Sequence, residues 1–114
     1  MGEQSSIGID RTGDIAVFDI KGDVTSASEP HFSEAYKHPD MDGVSKILLK
    51  FDEEAYINSG GIAVLIQLLA ETKRNNQTVA ITGLSEHFKK IFNMVGITRF
   101  ATIYGSVEEA MGKL

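Results

Sequence analysis

The stretch Tyr56-Ile57-Asn58-Ser59-Gly60-Gly61-Ile62-Ala63-Val64-Leu65-Ile66-Gln67-Leu68-Leu69 decides how this chain folds. It joins a polar, glycine-containing turn to a long apolar helix, directly after the strand-like run Ile47-Leu48-Leu49-Lys50-Phe51. Asn58 and Ser59 are residue types that cap helices, because a side-chain oxygen accepts a hydrogen bond from a first-turn N–H that has no partner inside the helix. Ile62, Leu65, Ile66 and Leu69 follow the i, i+3, i+4, i+7 spacing of a buried stripe, and Val64 and Leu68 widen it. Ala63, Gln67, Glu71 and Arg74 fall on the other side. The helix is therefore expected to be embedded by most of its circumference, with its first turn reaching the surface. Free N–H groups and the positive end of the helix dipole suit a negative group at that turn. Function is sought there.

Working outward toward the start, Ile7 and Ile9 alternate with polar neighbours ahead of the tight turn Asp10-Arg11-Thr12-Gly13-Asp14. Ile15 to Lys21 reads as a second strand, so the chain is predicted to open with a hairpin. Gly22-Asp23-Val24-Thr25-Ser26 breaks the pattern, and Ser28-Glu29-Pro30 suits a helix start, since proline lacks only an N–H that the first turn leaves free. That helix carries Phe32, Ala35 and Tyr36 inward and ends near His38-Pro39. Asp40 to Gly43 is a loop containing Met41. Lys46 to Asp52 is the third strand, its near-continuous apolar centre predicting cover on both faces. Asp52-Glu53-Glu54 is an acidic, solvated turn.

Working toward the end, the central helix should run to about Asn75-Asn76, and Thr78 to Thr82 is the fourth strand. Ser85 caps a helix that buries Phe88, Ile91, Phe92 and Val95 and stops at Gly96. Met94 beside that stop reads as packing or as partner contact. Ala101 to Tyr104 is a short last strand, and Ser106 to Leu114 a final helix with Val107, Ala110 and Met111 inside. The order β-β-α-β-α-β-α-β-α predicts an α/β fold: one domain over residues 1–114, with a mixed, mostly parallel sheet and about four helices packed on it.

Composition narrows the function classes. The net charge of -5 argues against direct nucleic-acid binding, and the 11 Lys and Arg form no basic stripe. No apolar run approaches the ~20 residues that cross a bilayer, so no membrane insertion is expected. Met1 to Ser6 lacks the basic and apolar segments of a secretory leader, and the absence of cysteine fits a reducing compartment. A cytoplasmic protein is expected. Gly60-Gly61 is followed by no Gly-Lys-Ser/Thr, so these glycines are read as permitting close backbone approach rather than cradling a nucleotide. His31, His38 and His87 stand alone, without metal-ligand spacing, and Asp40-Met41-Asp42-Gly43 fails the calcium-loop pattern at Val44 and Ser45. Asp52, Glu53 and Glu54 have no companion nucleophile. No catalytic residue, metal or cofactor is expected. Met1 to Ser6 also matches a myristoylation pattern and Asn76-Gln77-Thr78 a glycosylation sequon; both are set aside.

The chain resembles the STAS domain, the fold of bacterial anti-sigma-factor antagonists, over nearly its whole length. Gly22-Asp23-Val24-Thr25 is similar to the family's Gly-Glu-Leu-Asp turn after the second strand. Ile57 to Leu65 is similar to its Asp-Ser-Ser-Gly-Leu-Gly-Val-Leu signature, and Ser85 to Ile97 to its third helix. The resemblance implies partner switching. An unphosphorylated antagonist binds an anti-sigma factor that is also a serine kinase, the ATP being carried by that partner, and phosphorylation at the start of the central helix breaks the complex. Matching Asn58 to the family's Asp and Ser59 to its first Ser puts Gly60 where the usual acceptor serine stands, and Thr25 replaces the acid that ends the earlier turn. Either Ser59 is the acceptor, or the protein binds without that switch and Ser59 serves only in the cap. Binding is expected at Asp23, Thr25, Asn58, Ser59, Gly60 and Gly61, with Ala63 and Gln67 adding helix surface. The alternatives are an accessory subunit of a membrane transporter, a signalling scaffold, or a small-molecule binder at the same turn.

Overall fold

The computed structural model describes residues 5–114. Most of the amino-terminal acylation pattern, Met1 to Gln4, lies outside the described residues.

Strands β1 (Ser6–Thr12) and β2 (Ile15–Lys21) form the expected hairpin, with Thr12 opposite Ile15 across Gly13-Asp14. β2 pairs in parallel with β3 (Lys46–Lys50), β3 with β4 (Thr78–Thr82), and β4 with β5 (Thr102–Ile103). The five strands stand in chain order, β1-β2-β3-β4-β5. Helices α1 (Glu29–Tyr36), α2 (Ser59–Arg74) and α3 (Glu86–Met94) span the parallel crossovers. Because the strand order advances in one direction, right-handed crossovers bring all three helices to one face. Phe32, Leu65, Leu69, Phe88 and Phe92 from those helices accordingly share a core with Ile47, Leu49, Val79 and Ile81. The alternate strand residues Leu48 and Ala80 face the other way and are covered by Ala110 of α4 (Val107–Lys113). The apolar centre of β3 is thus buried on both faces, as its run of leucines predicts.

Several sequence expectations shift. The buried stripe of α2 is Gly61, Val64, Leu65, Leu68, Leu69 and Thr72, so the helix is turned slightly from the predicted face and Ile62 and Ile66 are only half-buried. Thr72 is tolerated inside because its hydroxyl donates to the Leu69 carbonyl at 2.7 Å. Val95 is 44% exposed, since it follows the last turn of α3 just where Gly96, at φ 83°, reverses the chain. Met94 is 80% exposed and does not pack. Met41, in the loop before β3, is buried, carried inward by a short 3₁₀ turn, Pro39–Met41, that His38 opens by accepting the Asp40 N–H. β3 stops at Lys50 and α2 at Arg74, each a little before its predicted end.

At the far end of the sheet, Ser45 donates to a carboxylate oxygen of Asp14 at 2.8 Å. That bond, with Lys46 and Arg11 nearby, holds the Asp14 carboxyl below its usual range. The depressed value favours the ionised form in the folded chain. Its contribution is therefore present above the ordinary carboxylate range and is lost as pH falls through the lowered value. A carbon-detected titration should show Asp14 below its usual value in the native protein and moved upward in Ser45→Ala.

The two sides of α2 give a second test. Leu69→Ala should cost about 2–5 kcal/mol in urea unfolding through lost burial and an unfilled cavity. Gln67→Ala, on the exposed side, should stay within about 0.5 kcal/mol of the parent.

Candidate partner-binding site

β2 and β3 are adjacent and parallel, so the segments leaving their carboxyl ends emerge side by side. The first is the loop Gly22 to Thr25, and the second runs from Phe51 to Asn58. They are stitched by a parallel bridge between Val24 and Ile57. The Val24 N–H donates to the Tyr56 carbonyl at 2.9 Å, and the Asn58 N–H donates to the Val24 carbonyl at 3.2 Å. Asp23 adds a side-chain clasp, its carboxylate accepting the Tyr56 N–H at 2.9 Å. The backbone needs of both loops are largely met by each other, so the two act as one surface.

Asn58 is the helix cap, in extended conformation, with Oδ1 accepting the Gly61 N–H at 2.8 Å. Ser59 is therefore the first residue of α2 rather than its cap. It is exposed, and its hydroxyl makes no hydrogen bond among the described residues. Gly61 is buried directly beneath Val24. A Cβ there would overlap the Val24 carbonyl oxygen and lie 2.6 Å from the carbonyl carbon. Gly60 is less confined but still tight, since a Cβ would lie 3.0 Å from both the Cβ and the backbone nitrogen of Ser26. The expectation of close backbone approach at this glycine pair is met.

Thr25 caps the following 3₁₀ turn, Ser26–Ser28. Its hydroxyl accepts the Ala27 N–H at 3.1 Å while its own N–H donates to Ser28 Oγ at 3.0 Å. Ser28 is buried and also accepts from Ser5 Oγ at 2.7 Å. This turn sits against the start of α2, and it holds the exposed residues Ser26 and Ala27 beside Ser59.

Asp23, Thr25, Asn58, Ser59 and Gly60 thus converge at one mouth. Gly61 converges with them but lies underneath, so its part is to let the two loops close. Ala63 and Gln67 continue outward along the exposed side of α2. Sequence reasoning missed Tyr56, which is 60% exposed and rests edge-on against Phe88 of α3 at 6.2 Å between ring centroids. Its signal was an aromatic residue inside an otherwise polar turn. Among the described residues no group of three or more His, Cys, Asp or Glu is placed to hold a metal ion. Among the same residues no helix is long and apolar enough to cross a membrane.

A one-sided helical layer, a lone covering helix and a loop-built mouth at the carboxyl ends of parallel strands define a small α/β module with a preformed surface. The STAS domain profile matches residues 6–110, and the chain belongs to that family. Two solved structures show the same fold. One is the crystal structure of TM1081 from Thermotoga maritima, described as a candidate anti-sigma factor antagonist. It has a TM-score of 0.77 and 18% identity, over 94% of this chain and 92% of the other. The second is the Bacillus cell fate determinant SpoIIAA in its phosphorylated form. Its TM-score is 0.61 with 16% identity, over 95% of this chain and 98% of the other.

Two substitutions separate the supports of the mouth. Asn58→Ala should cost about 1 kcal/mol, the worth of a helix cap. Gly61→Ala should cost about 1–3 kcal/mol, as overpacking does, and should also shift the amide resonances of Val24 and Thr25. Thermal unfolding and a heteronuclear correlation spectrum check both.

Proposed function

We propose that this STAS domain is an anti-sigma factor antagonist that works by partner switching, a binding protein and not an enzyme. Its partner is an anti-sigma factor with serine kinase activity that brings its own ATP, and the encounter takes place in the cytoplasm. The observation that carries the reading is Ser59. It is the first residue of a long helix, exposed, with a hydroxyl that makes no hydrogen bond among the described residues, at a mouth built from two clasped loops.

The chemistry fits that position. In the kinase's site the Ser59 oxygen attacks the γ-phosphorus of ATP, the β–γ bridge breaks, ADP leaves, and the hydroxyl proton passes to a base of the kinase. The added phosphate carries about −1.5 to −2 charges and lies at the positive end of α2, where the fold accommodates it. The docking surface, by contrast, gains charge and bulk beside Asp23, Thr25, Ala63 and Gln67. Binding can be lost with no rearrangement of the core. Gly60 stands where the family's acceptor is expected, and Ser59, one residue before it, is the exposed hydroxyl in the first turn of α2.

Incubation with the cognate kinase and ATP should place one phosphate on Ser59 by peptide mass spectrometry. Ser59→Ala should abolish incorporation yet still bind, and Ser59→Asp should bind roughly tenfold or more weakly, a difference of about 1.4 kcal/mol. Binding by the parent with no phosphate on any residue would leave a constitutive antagonist. Failure to bind any anti-sigma kinase, with recovery of transporter subunits instead, would replace the reading by the accessory-subunit one.

A further inference from the structure

The outer edge of β1 lies apart from the helix mouth and has chemistry of its own. Among the described residues β1 ends the sheet and pairs with β2 alone. Its seven residues hold no proline, and their register with β2 is continuous, without a bulge. The two-residue turn makes Thr12 and Ile15 a bonded pair, and antiparallel alternation then directs the peptide groups of Ile7, Ile9 and Arg11 away from β2. Free edges are ordinarily blunted by a basic side chain, a proline or a bulge. The one basic residue here, Arg11, is turned back onto the protein's own loops, donating to the carbonyls of Gly13, Asp40 and Asp42.

Both faces beside this edge carry recognisable chemistry. On the helix side, half-buried Ile7 and Ile9 line a groove of about 220 Å³ with Ala35, His31, Glu34 and His38. On the other side Gly8 and Asp10 are exposed, and Asp19 of β2 lies opposite Gly8, with Lys50 next in register and Lys21 at the strand end. Among the described residues neither Asp10 nor Asp19 takes part in an ion pair.

We propose that β1 is a docking edge for an extended segment of a partner protein in which small apolar residues alternate with lysine or arginine. The segment adds one more strand to the sheet. Its peptide groups bond those of Ile7, Ile9 and Arg11, its apolar side chains enter the groove beside α1, and its cations face Asp10 and Asp19. A second copy of this chain fits worse. A two-fold pairing with Ile9 opposite itself brings both copies' Asp10 and Asp19 onto one patch, between chains that each carry a net charge of -5.

The probe is a synthetic peptide of alternating valine and lysine, as long as β1, titrated into the isotope-labelled 114-residue chain at low salt. Amide shifts and slowed hydrogen exchange should appear at Ile7, Ile9 and Arg11, with further shifts at His31 and Ala35. Asp10→Lys, its fold checked by circular dichroism, should weaken binding by about fivefold, the scale of one cross-strand charge pair. A valine–glutamate peptide should not bind. No binding at millimolar peptide, shifts confined to the Asn58–Gly61 mouth, or undiminished affinity in Asp10→Lys would each overturn the proposal. So would a dimer in sedimentation whose protected amides lie on β1, since that would make the occupant a second copy.

Discussion

The contact on which the functional end of this fold depends is the one between the Val24 carbonyl and the backbone of Gly61. Two loops leave neighbouring parallel strands and must run side by side, yet each has peptide groups that need partners. The Val24–Ile57 bridge supplies them, and it can form only if the first turn of α2 lies almost against the Val24 peptide. A side chain at residue 61 would hold the two apart. The glycine is therefore a spacing constraint, and the cap at Asn58, the clasp from Asp23 and the 3₁₀ turn at Ser26 are all arranged around it.

From that constraint follows the character of the surface. The loops are tied to each other and to a helix whose inner side is packed by Val64, Leu65, Leu68 and Leu69. The mouth is consequently preformed, and little conformational entropy remains to be lost when a partner docks. The same rigidity suits a switch made by one covalent group. A phosphate at a loose loop would be absorbed by rearrangement, whereas one added at a fixed helix terminus would keep its place.

Much of this was legible in the chain itself. The succession of strands and helices, the opening hairpin, the capping role of Asn58 and Ser85 and the stop at Gly96 each follow from a local chemical reason that the structure repeats. What was misjudged has a common cause: hydropathy weighs side chains and ignores backbone. Gly61 is as buried as a leucine because the loop needs its lack of a side chain. Thr72 is buried because its hydroxyl is satisfied within the helix. Both pull the stripe of α2 away from Ile62 and Ile66. Val95 is turned outward for a similar reason, since the chain reversal at Gly96, not hydrophobicity, decides which way a residue next to it points. Of the candidate site, the resemblance supplied the positions. It left unstated that Asn58 and Asp23 spend polar atoms on holding the loops, and that Tyr56 stands beside them.

These observations separate two sets of positions that lie only a residue or two apart. Val24, Gly61, Leu65 and Leu69 are buried and fix the geometry; Ser59, Ala63, Gln67 and Tyr56 are exposed and bear no part of the core. Alternation between the sets along α2 is the helical period itself, so the outward residues can change without touching the inward ones. A fold built this way holds its shape while its contact chemistry varies. The likeness to TM1081 at a TM-score of 0.77 with 18% identity is what such an arrangement allows. It follows that the side chains around the mouth can vary while its backbone, set by the two loops that leave neighbouring parallel strands, stays in place.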